Sequence, residues 1–502
     1  MAQDADYGRL RRYVRNHEKA IVERLMAFLS IPNVAVDLPN MRRNAEQVER
    51  MLRLRGAETR LLQTGGPPLV YGEIRSPAST VTVLFYAHYD GQPADPSRWV
   101  GHEPWEPILR AGPLESHPEP IPIPPTGEAI DRNWRVYARS ASDDKAPIVA
   151  LMTALDGLRD QELRPTANLK FLFDGEEEAG SPHLAAAMRT HRSLLAADVA
   201  IFADGPVHPS NAPTLALGVR GIVTVELTVY GPRRPLHSGH YGNWAPNPAE
   251  RLAELLASMQ DDSGRVTIEG WYDDVRPLSA ADRAALAHLP DDPAELDALG
   301  VPEPEGDGRS RWEMVTLPSF NVRGLRSGWV GGEARTIVPD RAVASLDFRL
   351  VRDVRPEAQV ARFLRHLRRR GYHVIEEEPD EAARRAHPRL ARVTVSDGYP
   401  AARTPADDPL ARALLAELRR ATGRETVVVP TLGGSVPAYL FPELLGATFL
   451  GLPIVNPDNN QHSPNENLRL GNLFDGIVSL AGAMRAGWEE VVGSGQGVRV
   501  GP

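Results

Sequence analysis

At 502 residues the chain is longer than one hydrophobic core usually organises, so two domains are the default expectation. With 42% apolar and 25% charged residues it has the composition of an ordinary water-soluble globular protein. A net charge of -9, with arginines dispersed along the chain, argues against nucleic acid as a partner. The absence of cysteine excludes disulfide scaffolds, thiolate metal sites and cysteine nucleophiles.

The first twenty residues are charged throughout and lack the apolar core of a signal peptide. No later stretch approaches the ~18 apolar residues of a membrane span, so a cytoplasmic protein without membrane contact is expected. Leu10, Val14, Ile21, Leu25, Phe28 and Leu29 recur at steps of three and four, which predicts an amphipathic helix over 7–30, stopped near Pro32. His17 falls on that stripe, where a packing or capping role is expected because no carboxylate motif accompanies it.

Short apolar runs at 81–86, 169–173 and 199–203 are separated by helical segments such as 147–158. This predicts a mostly parallel sheet with crossover helices. Between the first and second run, residues 104–125 hold eight prolines, which excludes a helix or a central strand and predicts a loop. From about residue 215 the pattern changes: Val223, Val225, Leu227 and Val229 alternate with polar neighbours, as in a sheet with one buried face. A helix over 248–259, a strand over 342–350, a helix over 356–370 and a strand over 372–378 complete an α+β unit, with an irregular acidic insertion over 261–320. Helix 409–422, the run 426–429 and a final helix over 473–491 return to the first pattern, before a loose tail, GSGQGVRVGP. The expected architecture is α/β: a mostly parallel central sheet with helices on both faces, built from 1–214 and 397–502, and an inserted α+β domain over 215–396.

Chemistry-bearing side chains sit just after the apolar runs or just before a helix: His88 and Asp90 in AHYDGQ, Asp143 in SASDDKAP, Glu177 and Glu178 in DGEEEAGS, Asp204 in FADGP, and His462 in NQHSPNE. In open α/β sheets ligands gather at the carboxyl ends of strands. Two histidines, three carboxylates and a spare glutamate suit a two-zinc hydrolase, since zinc takes imidazole nitrogen and carboxylate oxygen and keeps a position open for water. Asp90, two residues from His88, projects to the same side of an extended segment and can fix the imidazole through its second nitrogen.

In order and local context these motifs resemble the M20 family of co-catalytic zinc peptidases and amidohydrolases, in particular its carnosinase-like dipeptidase branch. The resemblance runs from FLSIPNV near residue 30 to HSPNE near 465. It implies two Zn2+ per subunit, with Mn2+ or Co2+ as substitutes: one ion on His88, Asp143 and Asp204, the other on Asp143, Glu178 and His462, with Asp143 bridging. It makes Glu177 the general base, aligned by counting back from Gly180 and Ser181, and leaves Glu176 solvated. Asp144 follows through what is a cis peptide in family members, and an N-cap role for the helix near 147 stands equally beside a catalytic one.

The resemblance also makes RPLHSGHYG a lid motif, whose His237 reaches an active site, commonly that of a dimer partner, to stabilise the oxyanion. Arg349, with the fork geometry that suits a carboxylate, Thr336 and Ser435 match substrate contacts of the dipeptidase branch. Ala146, Leu432 and Asp397 depart from that branch, which has glycine, glutamate and often histidine there. The implied activity is hydrolysis of dipeptides or short peptides with a free C-terminal carboxylate, by a homodimer joined through the lid domain. N-acyl amino acid hydrolysis on the same scaffold is the near alternative, and a non-catalytic binding protein the remote one. Serine hydrolysis has no GxSxG to support it, and HExxH is absent.

Overall fold

The structure, a computed structural model, describes residues 2–77, 79–289, 296–297 and 299–492. The tail expected over 493–502 lies outside the described residues. Helix α1 (Ala2–Leu29) buries Leu10, Val14, Ile21, Leu25 and Phe28 at helical spacing. His17 is exposed instead of sharing that stripe; its ring stacks on Tyr13 one turn back, with centroids 4.1 Å apart. Helix α2 (Leu38–Arg53) opens on Asp37, whose carboxylate accepts the Asn40 backbone N–H.

Strands β1 (Glu58–Leu62) and β2 (Leu69–Ile74) form an antiparallel pair. They are followed by β3 (Thr82–His88), α3 (Lys145–Asp160), β4 (Asn168–Asp174), β5 (Val199–Phe202) and β6 (Thr214–Ala216). The chain then leaves for a second unit: β7 (Gly221–Tyr230), α4 (Pro248–Ala257), β8 (Ser319–Ser327), β9 (Arg341–Leu350), α5 (Pro356–Arg369), β10 (His373–Ile375) and β11 (Leu390–Val395). It returns as α6 (Pro409–Thr422), β12 (Val427–Val429), β13 (Thr448–Gly451) and α7 (Leu470–Ala483).

The central sheet runs β1-β2-β4-β3-β5-β13-β6-β12. Strand β3 is parallel to both β4 and β5, and β13 is parallel to β5. Helices α1, α3, α6 and α7 pack on one face, while Leu184, Met188, Phe441 and neighbours cover the other. Because both faces are covered, Val83 to Ala87 is buried without alternation, which is why these strands read as continuous apolar runs.

The inserted sheet runs β8-β9-β7-β11-β10. Val223, Val225, Leu227 and Val229 of β7 are at most 1% exposed and share a core with Leu252, Phe363 and Leu367 of the two helices. Each such burial is worth about 1.5–3 kcal/mol. Strand β8 carried no alternation in the sequence because it is an edge: Asn321 to Arg326 all face solvent.

Three further segments differ from expectation. Residues 104–125 are not simply a loop: Ile108–Arg110 and Pro120–Ile121 join Arg135–Tyr137 and Asn467–Arg469 in a small antiparallel sheet, with prolines kept to strand ends and the edge. The insertion holds helices Ala280–Ala287 and Arg311–Met314, each opened by a capping box from Ser279 or Ser310. The final helix splits into α7 and a short helix, Trp488–Val492. No described helix is long and apolar enough to cross a membrane.

Candidate active site

Three neighbouring parallel strands, β4, β3 and β5, end at one edge of the central sheet, and each delivers a candidate side chain there. His88 is the last residue of β3; Asp204 stands two residues past β5; Glu177 and Glu178 lie in a tight turn after β4, ended by Gly180 at φ 84°. The loop after β13 returns to the same edge and presents His462 from a left-handed backbone conformation, φ 61°. Asp143 comes from the loop that opens α3.

Five of these side chains, His88, Asp143, Glu178, Asp204 and His462, converge. His88 Nε2 lies 2.9 Å from Asp143 Oδ1, and His462 Nε2 lies 3.0 Å from Asp143 Oδ2 and 3.1 Å from Glu178 Oε2. Donor atoms of His88, Asp143 and Asp204 lie within 4.8 Å of one another, and so do those of Asp143, Glu178 and His462. Imidazole nitrogens and carboxylate oxygens in two triads sharing one carboxylate fit two divalent cations.

The electrostatics favour added positive charge. Burial pushes Glu177 well above the usual carboxylate range, with Asp204 and Asp143 adding to it, and burial pushes Asp204 up to about 7. Burial raises Asp143 too, but hydrogen bonds from His462 and His88 outweigh it and hold its carboxyl below the usual range. Hydrogen bonds to Asp143 and Glu178 hold His462 up at about 10.

Around these groups lies a second layer. Asp90 Oδ1 is 3.2 Å from His88 Nδ1 and accepts the Glu177 backbone N–H at 3.1 Å, while its Oδ2 accepts that of Glu178 at 3.1 Å. Glu466 accepts the backbone N–H groups of Ser140, Ser142 and Asp143 and a guanidinium N–H of Arg139, between 2.8 and 3.0 Å. Gln92 donates to Glu178 at 2.8 Å and Gln461 to Asp143 at 3.3 Å. Sequence reading passed over Glu466, Gln92 and Gln461 as site residues, although all three stand within quoted motifs, because their contacts bridge distant segments.

Two neighbouring carboxylates differ from expectation. Glu176 is not solvated: it is 8% exposed and its Oε2 lies 2.7 Å from His183 Nδ1, in a tight fit over Gly66. Asp144 makes no capping bond to α3; its Oδ2 accepts the His88 backbone N–H at 3.2 Å, and burial pushes its carboxyl well up.

A cavity of about 560 Å³ opens beside this cluster, lined by Asp143, Glu177, Asp204 and His462 and also by Arg349 and Ser435. Arg349 Nη1 donates to Ser435 Oγ at 2.7 Å, and its Nε lies 3.7 Å from Asp347. No residue of 104–125 lines that cavity. His237 and Thr336 do not line it either. They stand together on an exposed ribbon, Leu236–His237 paired with Ile337–Val338, where the Ser238 N–H donates to the Thr336 carbonyl. A separate cavity of about 450 Å³ in the inserted domain shares Arg349 and contains none of the five converging groups.

The sequence profile described as peptidase family M20/M25/M40 matches residues 84–486. Among proteins of known activity, the chain is 25% identical over 481 residues to a Cys-Gly metallodipeptidase of Schizosaccharomyces pombe, covering 91% of this chain and 93% of that one. It is 24% identical over 421 residues to the Beta-Ala-His dipeptidase of Homo sapiens, covering 83% and 76%. Among solved structures it resembles an M20 family metallo-carboxypeptidase from Sulfolobus solfataricus, with TM-score 0.74, 29% identity and coverage of 92% and 98%.

Proposed function

The chain belongs to peptidase family M20/M25/M40 and is a metallopeptidase; from that premise we propose that it hydrolyses the peptide bond of dipeptides or short peptides with a free C-terminal carboxylate. The observation that carries this reading is one cavity lined by Asp143, Asp204 and His462 of the shared-carboxylate donor set, by Glu177 and by the Arg349–Ser435 pair.

His88, Asp143 and Asp204 would hold one divalent ion and Asp143, Glu178 and His462 the other, with zinc the ion that best suits these donors and manganese or cobalt able to replace it. Ions bound there would supply Lewis acidity toward a water and the scissile carbonyl. The Glu177 carboxylate takes the proton of the attacking water and passes it to the departing amine nitrogen. Asp90 acts by positioning, since it orients His88 and fixes the backbone of Glu177 and Glu178. Arg349, steadied by Ser435, receives the substrate carboxylate through its guanidinium fork.

The inserted domain, 215–396, serves as lid and dimerisation unit in this reading. In a homodimer His237 and Thr336 reach the cavity of the second copy, where His237 stabilises the oxyanion. Support comes from their exposed position outside their own chain's cavity, and from apolar side chains on and beside the edge strand β8: Leu325 is 61% and Val330 84% exposed.

One observation favours N-acyl amino acid hydrolysis as a second reading. Asp143, Glu177 and Asp204 are the only acids lining the cavity among the described residues, and Leu432 occupies the wall, so a free α-ammonium finds no dedicated partner. The test is hydrolysis by the zinc-loaded protein of a panel of free dipeptides, longer peptides and N-acyl amino acids, read by mass spectrometry. Cleavage of the dipeptides supports the proposal; cleavage of N-acyl amino acids alone moves the protein to the amidohydrolases.

A further inference from the structure

We propose that Trp312, which the inserted domain carries into the cavity of the central domain, is a specificity-determining residue that selects substrates with an apolar side chain. The inference rests on the peptidase reading above and names the side-chain class that reading leaves open.

The insertion over 261–320 belongs to neither sheet until β8 begins, yet its helix Arg311–Met314 lines the same cavity as Asp143, Glu177, Asp204 and His462. The helix is fixed at its start by the Ser310–Glu313 capping box. Its far end is fixed by Arg220, whose guanidinium donates to the Leu317 carbonyl at 2.7 Å while its backbone N–H donates to the Gly434 carbonyl at 2.9 Å. Arg220 therefore ties this segment to the Gly433–Ser435 stretch that presents Ser435.

Trp312 itself bridges the two domains. It is 8% exposed and packs with Leu286 and Leu289 of the insertion and Val429 of β12. Its ring stacks on His208, centroids 5.5 Å apart, and His208 lies on the same loop as Asp204. A wall held by a stack, a core cluster and a capped helix does not yield to a poorly fitting side chain.

What this wall offers a substrate is apolar. Besides Trp312, the cavity is lined by Val207, Val219, Val315, Leu432 and Phe449, while the acids are confined to the metal-binding and base groups. Burying each methylene against such a surface is worth roughly fourfold in affinity. Two arginines also line the cavity, Arg349 and Arg311, whose guanidinium lies 4.6 Å from the centre of the Trp312 ring. A cationic side chain such as lysine therefore loses its water there with no acid beyond the metal-binding and base groups to receive it.

The test is kcat/KM of the full-length, zinc-loaded protein for two dipeptide series, X-Gly and Gly-X, with X running through Gly, Ala, Lys, Leu and Phe. The structure predicts a preference for Leu or Phe over Gly or Lys of at least roughly tenfold in one series. Trp312→Ala should cut that ratio by roughly tenfold. Val315→Asn, at a half-buried position outside the Trp312 core cluster, should cut it as well, and it serves where Trp312→Ala fails to fold. A ratio unchanged in folded variants, or a wild-type protein that cleaves all X equally, would overturn the inference and leave the peptidase reading intact. Absence of any dipeptide cleavage overturns both.

Discussion

The carboxylate of Asp90 accepts the backbone N–H of Glu177 at 3.1 Å while the same oxygen stands 3.2 Å from Nδ1 of His88. One buried side chain thus sets both the ring of a proposed metal ligand and the turn carrying the proposed base, and a defect in it should appear in metal affinity and turnover together. Asp90→Asn keeps the shape and removes the charge. It should weaken metal binding by roughly 10- to 100-fold and lower kcat. Chelator competition and steady-state kinetics check this; wild-type metal affinity in the variant would mean that Asp90 does not act on His88.

Glu177→Gln separates proton transfer from metal binding. The variant should retain both ions by elemental analysis and lose roughly 10²- to 10⁴-fold in kcat. Unimpaired turnover would move the base to another carboxylate. Glu176 is a poor substitute, since its carboxylate is engaged by His183.

Arg349→Ala should discriminate between substrates. For free dipeptides KM should rise roughly 30-fold, the value of a charge-assisted hydrogen bond of about 2 kcal/mol. For C-terminally amidated ones it should change little. Equal effects on the two would remove the carboxylate role from Arg349.

Metal uptake should release protons. In protein stripped by a chelator, hydrogen bonds to Asp143 and Glu178 hold His462 up at about 10, and burial holds Asp204 up at about 7. Both groups bind a cation only after losing the proton, so protons compete with metal and affinity rises with pH. Below about pH 7 both groups contribute to the slope; between about 7 and 10 His462 still does. Calorimetry in buffers of different ionisation heat should find more protons released at about pH 6 than at about pH 8. A pH-independent affinity would contradict the ligand assignment.

Much of this site was legible in the sequence for a definite reason. His88, Glu177, Glu178 and Asp204 each follow an apolar run closely, and a parallel sheet brings the ends of such runs together. The central strands and β7 were legible through burial on two faces or one. Long-range contacts carry no such signature. Glu466 binds the Asp143 backbone across 323 residues, and nothing in HSPNE alone says where its carboxylate points. Trp312 lies in a segment without periodicity, so its entry into the cavity emerged only from the fold. Strand β8 escaped because an exposed edge has no buried face to write into its sequence. His17 misled for the opposite reason: its step from Val14 fits the stripe, but the core does not extend over it.

In the proposed mechanism hydrolysis requires two ions that share Asp143. The most direct measurement titrates zinc into chelator-stripped, full-length protein while following cleavage of a free dipeptide. No turnover is expected without metal, and activity should reach its plateau at two equivalents per chain. Turnover that persists after complete metal removal would contradict it.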